Sequence, residues 1–183
     1  MLIRQEIENM EFASVGENVL ISDRASFYNC GKISLGDNVR IDDFCILSAG
    51  KGGITIGSYV HIAAYSSLMG NALIKLEDFS GLSSRVSIYS SNDDYSGEYM
   101  TNPTVPTKYT NVSEAAVIVM RHAIVGAGSI ILPGVTLNEG ACVGALSLVK
   151  KDCEAFCTYF GLPAKKIGRR SKQLLEVEKI LMQ

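Results

Sequence analysis

Aliphatic residues recur at every sixth position between Val119 and Val149. The first residue of each six-residue block (hexad) is apolar, and the set is Val119, Val125, Ile131, Leu137, Val143 and Val149. The fifth residue of each complete hexad is small or β-branched: Ala123, Ser129, Val135, Ala141 and Ser147. This spacing matches neither the 3.6-residue period of a helix nor the two-residue period of a simple strand. The pattern is an internal repeat, and a repeat decides the architecture before local propensity does.

Three hexads make one coil with three short faces, which predicts an all-β parallel solenoid. The lead residues fill its triangular bore, each roughly 4.8 Å from its equivalent in the next coil. The small fifth residues suit a narrow bore. Gly126 and Gly144 follow lead residues, where the chain is expected to turn a corner.

The same spacing starts at Val15 and predicts roughly seven coils in all. It slips by a few residues after Leu47 and again after Leu68, each time after the third hexad of a coil. Both insertions are therefore predicted to lie at one corner. The segment 89–116 has no hexads, and its tyrosines and prolines predict an ordered loop inserted between coils.

The two ends of the chain break the pattern. Residues 1–10 predict a short helix packed across the first coil, and residues 150–170 predict an irregular basic cap. Residues 171–183 predict a C-terminal helix that Ser171 caps and that carries an apolar stripe. We expect one β-helical domain over 1–170, followed by this helix.

Composition narrows the class. The chain has 183 residues, 47% hydrophobic, and a net charge of −2, which gives no whole-protein argument for binding nucleic acid. Its 5 cysteines form no paired framework, which favours a cytoplasmic location. No apolar run reaches the roughly 18 residues of a membrane span, and acidic residues near the start argue against a signal peptide.

The hexads, the block from Val125 to Val135 and the Gly-Leu-Pro-Ala tail from Gly161 resemble the hexapeptide-repeat acyltransferases. The chain is most similar to sugar acetyltransferases of the galactoside and maltose type and of surface-polysaccharide or lipopolysaccharide synthesis. The resemblance implies a left-handed β-helix, acetyl-coenzyme A as co-substrate, and direct transfer to a hydroxyl or amine of a sugar, such as a nucleotide-linked one. It also implies a homotrimer with each active site between two subunits.

Acetyl transfer needs a general base, and the chain has 2 histidines. His61 ends a hexad, so its side chain is expected to point outward, onto a face that a neighbouring subunit could cover. It is the candidate base, although an ordinary surface histidine is an equally good interpretation. His122, the fourth residue of its hexad, is expected to be solvated near a corner.

In the galactoside-type enzymes a catalytic histidine follows the last hexad before the long loop, and the matching residue here is Asp93. A carboxylate is a weak base unless burial raises its pKa. The family mechanism therefore does not carry over unchanged at this position. One solution is that Asp93 or Asp94 orients His61 in a dyad; the alternative is that both residues only form a turn.

For coenzyme A, the resemblance places backbone contacts at Ala127 and Ala145, one coil apart. Basic residues near the end of the chain are candidate partners for its phosphates. This candidate set is Lys150, Lys151, Lys166 and Arg169, where Arg169 replaces a family arginine whose matching position is Gly168. Lys165 and Arg170 lie in the same stretch, and a solvated charged cap is the simpler interpretation of any one of them.

The loop supplies candidates for the acceptor site. Asn92, Tyr95 and Tyr99 could hold a sugar, or could pack the loop against a neighbouring subunit. Two other functions stay open at this point: a catalytically inactive scaffold, and a zinc enzyme resembling carbonic anhydrase. The second is disfavoured because such a site needs about three histidines. The sequence predicts no metal site and does not separate O- from N-acetylation or acetyl from longer acyl donors.

Overall fold

A computed structural model describes residues 1–182. It begins with helix α1 (Arg4–Glu8) and ends with helix α2 (Leu174–Leu181). The strands between them are short, and in chain order they are β1 Ser14–Val15, β2 Leu20–Ile21, β3 Ser26–Tyr28, β4 Ile33–Leu35, β5 Arg40–Ile41, β6 Ile46–Ala49, β7 Ile54–Ile56, β8 His61–Ile62, β9 Ser67–Gly70, β10 Ile74–Leu76, β11 Gly81–Leu82, β12 Ser87–Tyr89, β13 Ser91–Asn92, β14 Ser113–Glu114, β15 Val117–Val119, β16 Ile124–Val125, β17 Ile130–Ile131, β18 Thr136–Leu137, β19 Cys142–Val143, β20 Leu148–Val149, β21 Cys157–Gly161 and β22 Ala164–Arg169.

Successive hexads supply three parallel sheets in turn, so the fold is a parallel β-helix, as the hexad pattern predicts. It is left-handed, as the family resemblance implies. Sheet A has the order β1-β4-β7-β10-β15-β18, sheet B begins β2-β5-β8-β11-β16-β19, and sheet C contains β3, β6, β9, β12, β17 and β20. Lead residues align between coils: Leu82 pairs with Ile62 on one side and Val125 on the other. Each coil is therefore in register with the next.

The lead and fifth residues fill the bore. Ile62, Leu82 and Val125 are each at most 2% exposed, and Ala123 and Ser129 are fully buried. Burying one large aliphatic side chain stabilises a fold by about 1.5–3 kcal/mol. Because the bore is polar-free apart from its serines, those hydroxyls need partners, and Ser129 donates to the carbonyl of Gly144 over 3.0 Å.

Corners are turned by the fourth residue of the hexad. Along sheet B from β5 to β19, the fourth residues before and after each strand adopt a left-handed backbone: Asn38, Phe44, Tyr59, Tyr65, Phe79, Arg85, His122, Gly128, Gly140 and Leu146. The sequence analysis placed the corner at Gly126 and Gly144, two positions earlier in the hexad. Its reason for these glycines, that the chain turns there, was wrong. Gly126 has no left-handed backbone; it is needed because a Cβ there would lie 2.5 Å from the backbone nitrogen of Ala145.

The insertions share one corner, as predicted. The amide of Gly52 donates to the carbonyl of Asn71 over 2.8 Å, which stacks the first insertion on the second. The long loop leaves from the same place, where β13 pairs antiparallel with β14 and the side chain of Asn71 donates to Glu114 over 2.6 Å. Beyond this pairing, most of the loop lies exposed rather than packed on its own coils.

The ends differ in part from the prediction. The basic stretch is not irregular, because β21 and β22 form an antiparallel hairpin that continues sheet B from β19. Helix α2 begins three residues after the predicted start, and Ser171 is not its N-cap, although its hydroxyl accepts a hydrogen bond from the amide of Gln173 over 3.1 Å. Gln183, the last residue of the predicted helix, lies outside the described residues. Between residues 1 and 182, neither helix is long and apolar enough to cross a membrane.

Candidate active site

The corner between sheets B and C is built mostly from small residues that are exposed or half-buried. We call it the BC corner and define it by the third residue of each hexad: Asp43, Ala64, Ser84, Ala127 and Ala145. Backbone hydrogen bonds stack these residues coil on coil. The amide of Gly128 donates to the carbonyl of Ser84 over 3.0 Å, and the amide of Leu146 donates to the carbonyl of Ala127 over 2.8 Å.

Ala127 and Ala145 present unused backbone donors at this corner. Both residues are exposed, and no oxygen within residues 1–182 accepts a hydrogen bond from either amide. An exposed column of free N–H groups, with methyl side chains that do not obstruct it, can bind an extended ligand through its amide oxygens. The structure therefore brings the two predicted coenzyme positions into one column.

His61 lies on β8 in sheet B, three residues before Ala64 of the BC corner, and 52% of its side chain is exposed. Its outward orientation agrees with the prediction. Its ring atom Nε2 is 2.7 Å from Oδ2 of Asp42 in the neighbouring coil. With Nε2–H donated to the carboxylate, a neutral imidazole keeps the lone pair of Nδ1 as a proton acceptor.

Asp42 is itself held in place. Arg40 donates from Nε to Oδ1 of Asp42 over 2.7 Å. Burial raises the pKa of this carboxyl, but the hydrogen bonds from Arg40 and His61 outweigh burial and hold the pKa below its ordinary value. The carboxylate is thus ionised at neutral pH and fixes the ring of His61.

Sequence reasoning missed Asp42 and offered Asp93 or Asp94 as one possible partner of His61. Within residues 1–182, the carboxylate bonded to His61 is Asp42. The signal was available in the hexad register, because Arg40 and His61 are Cα partners on neighbouring strands and Asp42 follows two residues after Arg40.

A groove opens beside His61 at the level of β11. Its volume is about 320 Å³, and its lining comprises His61, Ala63, Gly81, Leu82, Ser83, Ser84 and Ile124. Gly81 and the serines were also missed from the sequence. The groove runs into the BC corner at Ser84, one coil from Ala127.

The loop forms a second, larger cavity of about 730 Å³. Asn92, Asp93 and Tyr95 line it together with Lys51 and Glu114. Tyr99 does not. Tyr95 is 85% exposed, so within one chain the tyrosine has almost nothing to pack against.

Asp94 stabilises the loop from inside. It accepts hydrogen bonds from the hydroxyl of Ser96 over 2.6 Å and from the side chain of Asn111 over 3.3 Å. The hydrogen bond from Ser96 holds the pKa of the Asp94 carboxyl below its ordinary value. Asp94 is therefore a poor proton acceptor and a good anchor for a cationic or hydrogen-bond-donating group.

The predicted phosphate-binding residues lie at the C-terminal end of the solenoid. Lys150 and Lys151 follow β20, and Lys166 and Arg169 lie on β22, all of them exposed. Lys166 donates to Glu154 over 2.7 Å. The neighbouring Arg170 has a different role, because it donates to the carbonyl of His122 over 2.8 Å and so ties the end of the hairpin to the coil.

His122 is not solvated, contrary to the prediction. It is 9% exposed, its ring stacks on Phe79 at 5.2 Å, and its Nε2 is 2.7 Å from Glu178 on α2. Burial, and then the charge of Arg121, lower the pKa of His122. It connects α2 to the corner between sheets A and B and has no access to the BC corner.

Hexapeptide-repeat acyltransferases are the class that this fold and the column of free amides at the BC corner define. No family model matches the chain. It is 58% identical to the dTDP-4-amino-4,6-dideoxy-D-glucose acyltransferase of Escherichia coli, over 96% of this chain and 91% of that protein. The chain belongs to the family of that enzyme and is an acyltransferase.

Solved structures agree with this assignment. The N-acyltransferase AntD from Bacillus cereus, in complex with dTDP and 3-hydroxybutyryl-CoA, is 47% identical with a TM-score of 0.95, covering 99% of this chain and 95% of that one. A variant of AntD in which one serine is replaced was solved with dTDP-4-amino-4,6-dideoxyglucose and coenzyme A. It is 46% identical to this chain, with a TM-score of 0.95 over 99% of this chain and 96% of that one. Galactoside acetyltransferase shares the fold. It is 19% identical, with a TM-score of 0.63 over 93% of this chain and 71% of that one.

Proposed function

We propose that the protein transfers an acyl group from acyl-coenzyme A to the 4-amino group of a dTDP-linked 4-amino-4,6-dideoxyhexose. The observation that carries this is the 58% identity to an enzyme of that name over 96% of the chain. The substrates in the AntD complexes support it. N-acylation is thereby favoured over the O-acetylation that the galactoside resemblance left open. Acetyl-coenzyme A is one donor of this class.

The donor lies along the BC corner. Its pantetheine oxygens accept hydrogen bonds from the amides of Ala127 and Ala145. Its phosphates reach the cluster formed by Lys150, Lys151, Lys166 and Arg169 at the C-terminal end of the solenoid. This direction brings the thioester to Ser84 and the groove beside His61.

The reaction is a direct displacement. The neutral amine attacks the thioester carbonyl carbon, the C–N bond forms, and the C–S bond breaks as the tetrahedral intermediate collapses. Nδ1 of His61 takes the proton that the nitrogen loses and returns it to the departing coenzyme A thiolate. Asp42 is a positioning residue that fixes the ring and stabilises the imidazolium while it exists.

The loop holds the acceptor. Asp93 and Asp94 bind its amino group, and Asn92, Tyr95 and Tyr99 contact the sugar. Because Asp94 is held ionised by Ser96, it orients the amine rather than accepting its proton. Two structures of AntD with substituted residues, one a serine and one an aspartate, also support a role for these residue types.

The active enzyme is a homotrimer in which the loop of one copy covers the BC corner of the next. The exposed residues at this corner support it, since Phe44 and Tyr65 stack at 4.9 Å and remain about half exposed, with Ile46 and Ile130 beside them on sheet C. A monomer would leave this apolar ridge and the loop tyrosines in water. Acylated nucleotide sugars are activated monomers for glycan synthesis, so we assign the product to surface-polysaccharide assembly from the cytoplasm.

Two assays test these proposals. The first incubates the protein with acetyl- or 3-hydroxybutyryl-coenzyme A and dTDP-4-amino-4,6-dideoxyglucose, and follows thiol release and the mass of the sugar nucleotide. The matched control is dTDP-glucose, which offers a hydroxyl instead of the amine. Equal turnover of both acceptors would contradict N-acylation, and absence of turnover with either would favour the inactive scaffold. The similarity to acyltransferases does not favour a zinc enzyme.

The second assay mixes two inactive variants, His61→Ala and the double variant Asp93→Asn with Asp94→Asn, and refolds or co-expresses them. If each site combines residues of two copies, mixed trimers recover part of the activity. Different affinity tags on the two variants, followed by purification on both tags in turn, establish that mixed trimers have formed. Mixed trimers without recovered activity would contradict a site shared between copies.

A further inference from the structure

Gly81 is a glycine that its own backbone does not require. Its φ angle is not positive, and an added Cβ would meet only the carbonyl oxygen of His61, at 3.9 Å, an ordinary van der Waals distance. Glycine inside a strand destabilises it by roughly 0.5–1 kcal/mol relative to alanine. Gly126 differs, because a Cβ there would collide with the backbone of the next coil.

The missing side chain opens a space on the outer surface of sheet B. Gly81 is the Cα partner of His61 on one side and of Ile124 on the other, and both of those side chains project outward. The gap between them is the floor of the 320 Å³ groove. A glycine at such a position marks the close approach of a ligand or of another backbone.

The position of the groove indicates which part of the donor it binds. Ala145, Ala127 and Ser84 succeed one another along the BC corner, about 10 Å for two coil spacings. With the phosphates at the basic end, the thioester of the donor reaches the coil of Ser84, where the groove begins. What extends beyond the thioester carbonyl is the acyl chain.

The walls of the groove suit a short acyl chain that carries a hydroxyl. Ile124 and Ala63 give apolar contact, while His61 and Ser83 supply polar groups. An acetyl group would leave most of this volume to water. We propose that the groove is the acyl pocket of the donor site, that it accepts hydroxylated four-carbon acyl groups, and that Gly81 sets its depth; this inference rests on the proposed function.

The test varies the size of residue 81 against the length of the donor. Gly81→Val is expected to lower kcat/KM for 3-hydroxybutyryl-coenzyme A by about 10- to 100-fold, because extra methyl groups in an apolar pocket have effects of this size. It should change kcat/KM for acetyl-coenzyme A by less than about threefold, and Gly81→Ala should be intermediate. Gly31→Ala is the matched control, since a Cβ there also meets one carbonyl at an ordinary distance, 3.8 Å, far from the groove.

Calorimetric Kd values for both donors separate failure of this inference from failure of the proposed function. If both bind and neither is turned over, the proposed function is wrong, and the ratio of the two Kd values in wild type and Gly81→Val still decides the inference. An unchanged donor ratio in Gly81→Val overturns it. A wild-type protein that discriminates against the four-carbon donor also overturns the inference. Loss of the trimeric state of Gly81→Val, measured by light scattering, overturns it as well, because residue 81 would then face another copy.

Discussion

The two histidines of the chain have different surroundings, and we propose opposite roles for them: His122 lies at the corner between sheets A and B, and His61 lies on sheet B beside the groove that runs into the BC corner. At the corner between sheets A and B the fourth residues are large and stacked: Tyr59 lies 4.8 Å from Phe79, which lies 5.2 Å from His122, and α2 covers the end of this column. At the BC corner the fourth residues Phe44 and Tyr65 also stack, but those of the last two coils are Gly128 and Leu146, and no helix within residues 1–182 covers them.

The comparison shows that position in the hexad does not by itself give a residue its function. Non-glycine residues in a left-handed conformation are strained by roughly 1–2 kcal/mol each. Aromatic stacking returns about 0.5–1.5 kcal/mol per pair and so offsets this at the first corner. The BC corner lacks such a column on its last coils, where Gly128 and the exposed Leu146 leave the alanine amides accessible.

The largest effect should distinguish the two histidines. His61→Ala should lower kcat about 10²- to 10³-fold, the usual contribution of a positioned general base. His122→Phe, which keeps a ring to stack on Phe79, should leave kcat within about twofold. Steady-state kinetics with saturating donor and acceptor measures both. A full loss in His122→Phe, or none in His61→Ala, would reverse the roles that we assign to the two corners.

Removing one backbone donor from the BC corner should have the next largest effect. Pro133 already occupies the third position of its hexad, so the backbone of this position accepts proline. Ala127→Pro and Ala145→Pro should each raise the Kd for coenzyme A about tenfold, because each deletes one N–H and leaves a ligand oxygen unpaired. Glu139→Pro, the same change at the other corner, is the control. Unchanged affinity in both alanine variants would exclude these amides from the donor site.

The attachment of α2 should affect stability rather than catalysis. Glu178 accepts from both Arg121 and His122, so Glu178→Ala should lower the free energy of unfolding by about 1–3 kcal/mol. For a chain of this size that is a decrease of roughly 5 °C in Tm. Glu176→Ala on the same helix breaks only an exposed pair with Lys179 and should change Tm very little. Equal shifts in the two variants would contradict a specific role for Glu178.

The smallest effect concerns Asp42 and acid. Its pKa in the folded state lies below the ordinary 3.8, so its stabilising effect is complete above that value and is lost as the pH falls through the folded pKa. Asp42→Asn should therefore lower stability at pH 7 by about 1 kcal/mol and flatten the loss below pH 3.8. Urea unfolding of the variant and the wild type at pH 7 and below pH 3.8 measures this. If the free energy of unfolding falls equally with pH in the variant and the wild type, ionisation of Asp42 does not contribute to stability.

The hexad pattern predicted the solenoid, its bore and its insertion corner because one repeated burial rule dictates all three. It located Ala127 and Ala145 in one column for the same reason. Asp42 was missed as a partner of His61 because the two residues meet through the register of neighbouring coils, and the sequence analysis looked for a partner only in the loop. The burial of His122 was missed because it depends on Glu178, 56 residues away, and no local spacing encodes where α2 docks.

Each hexad supplies one face of the solenoid, so the number of hexads before a residue decides which of the three faces that residue lies on. Deleting a single hexad between His61 and Val119 would leave every lead aliphatic residue in the bore, and the column would still close. Yet all residues beyond it would be turned by one face, carrying Ala127 and Ala145 away from His61. In such a solenoid, a change in the number of hexads preserves a site only when it adds or removes whole coils.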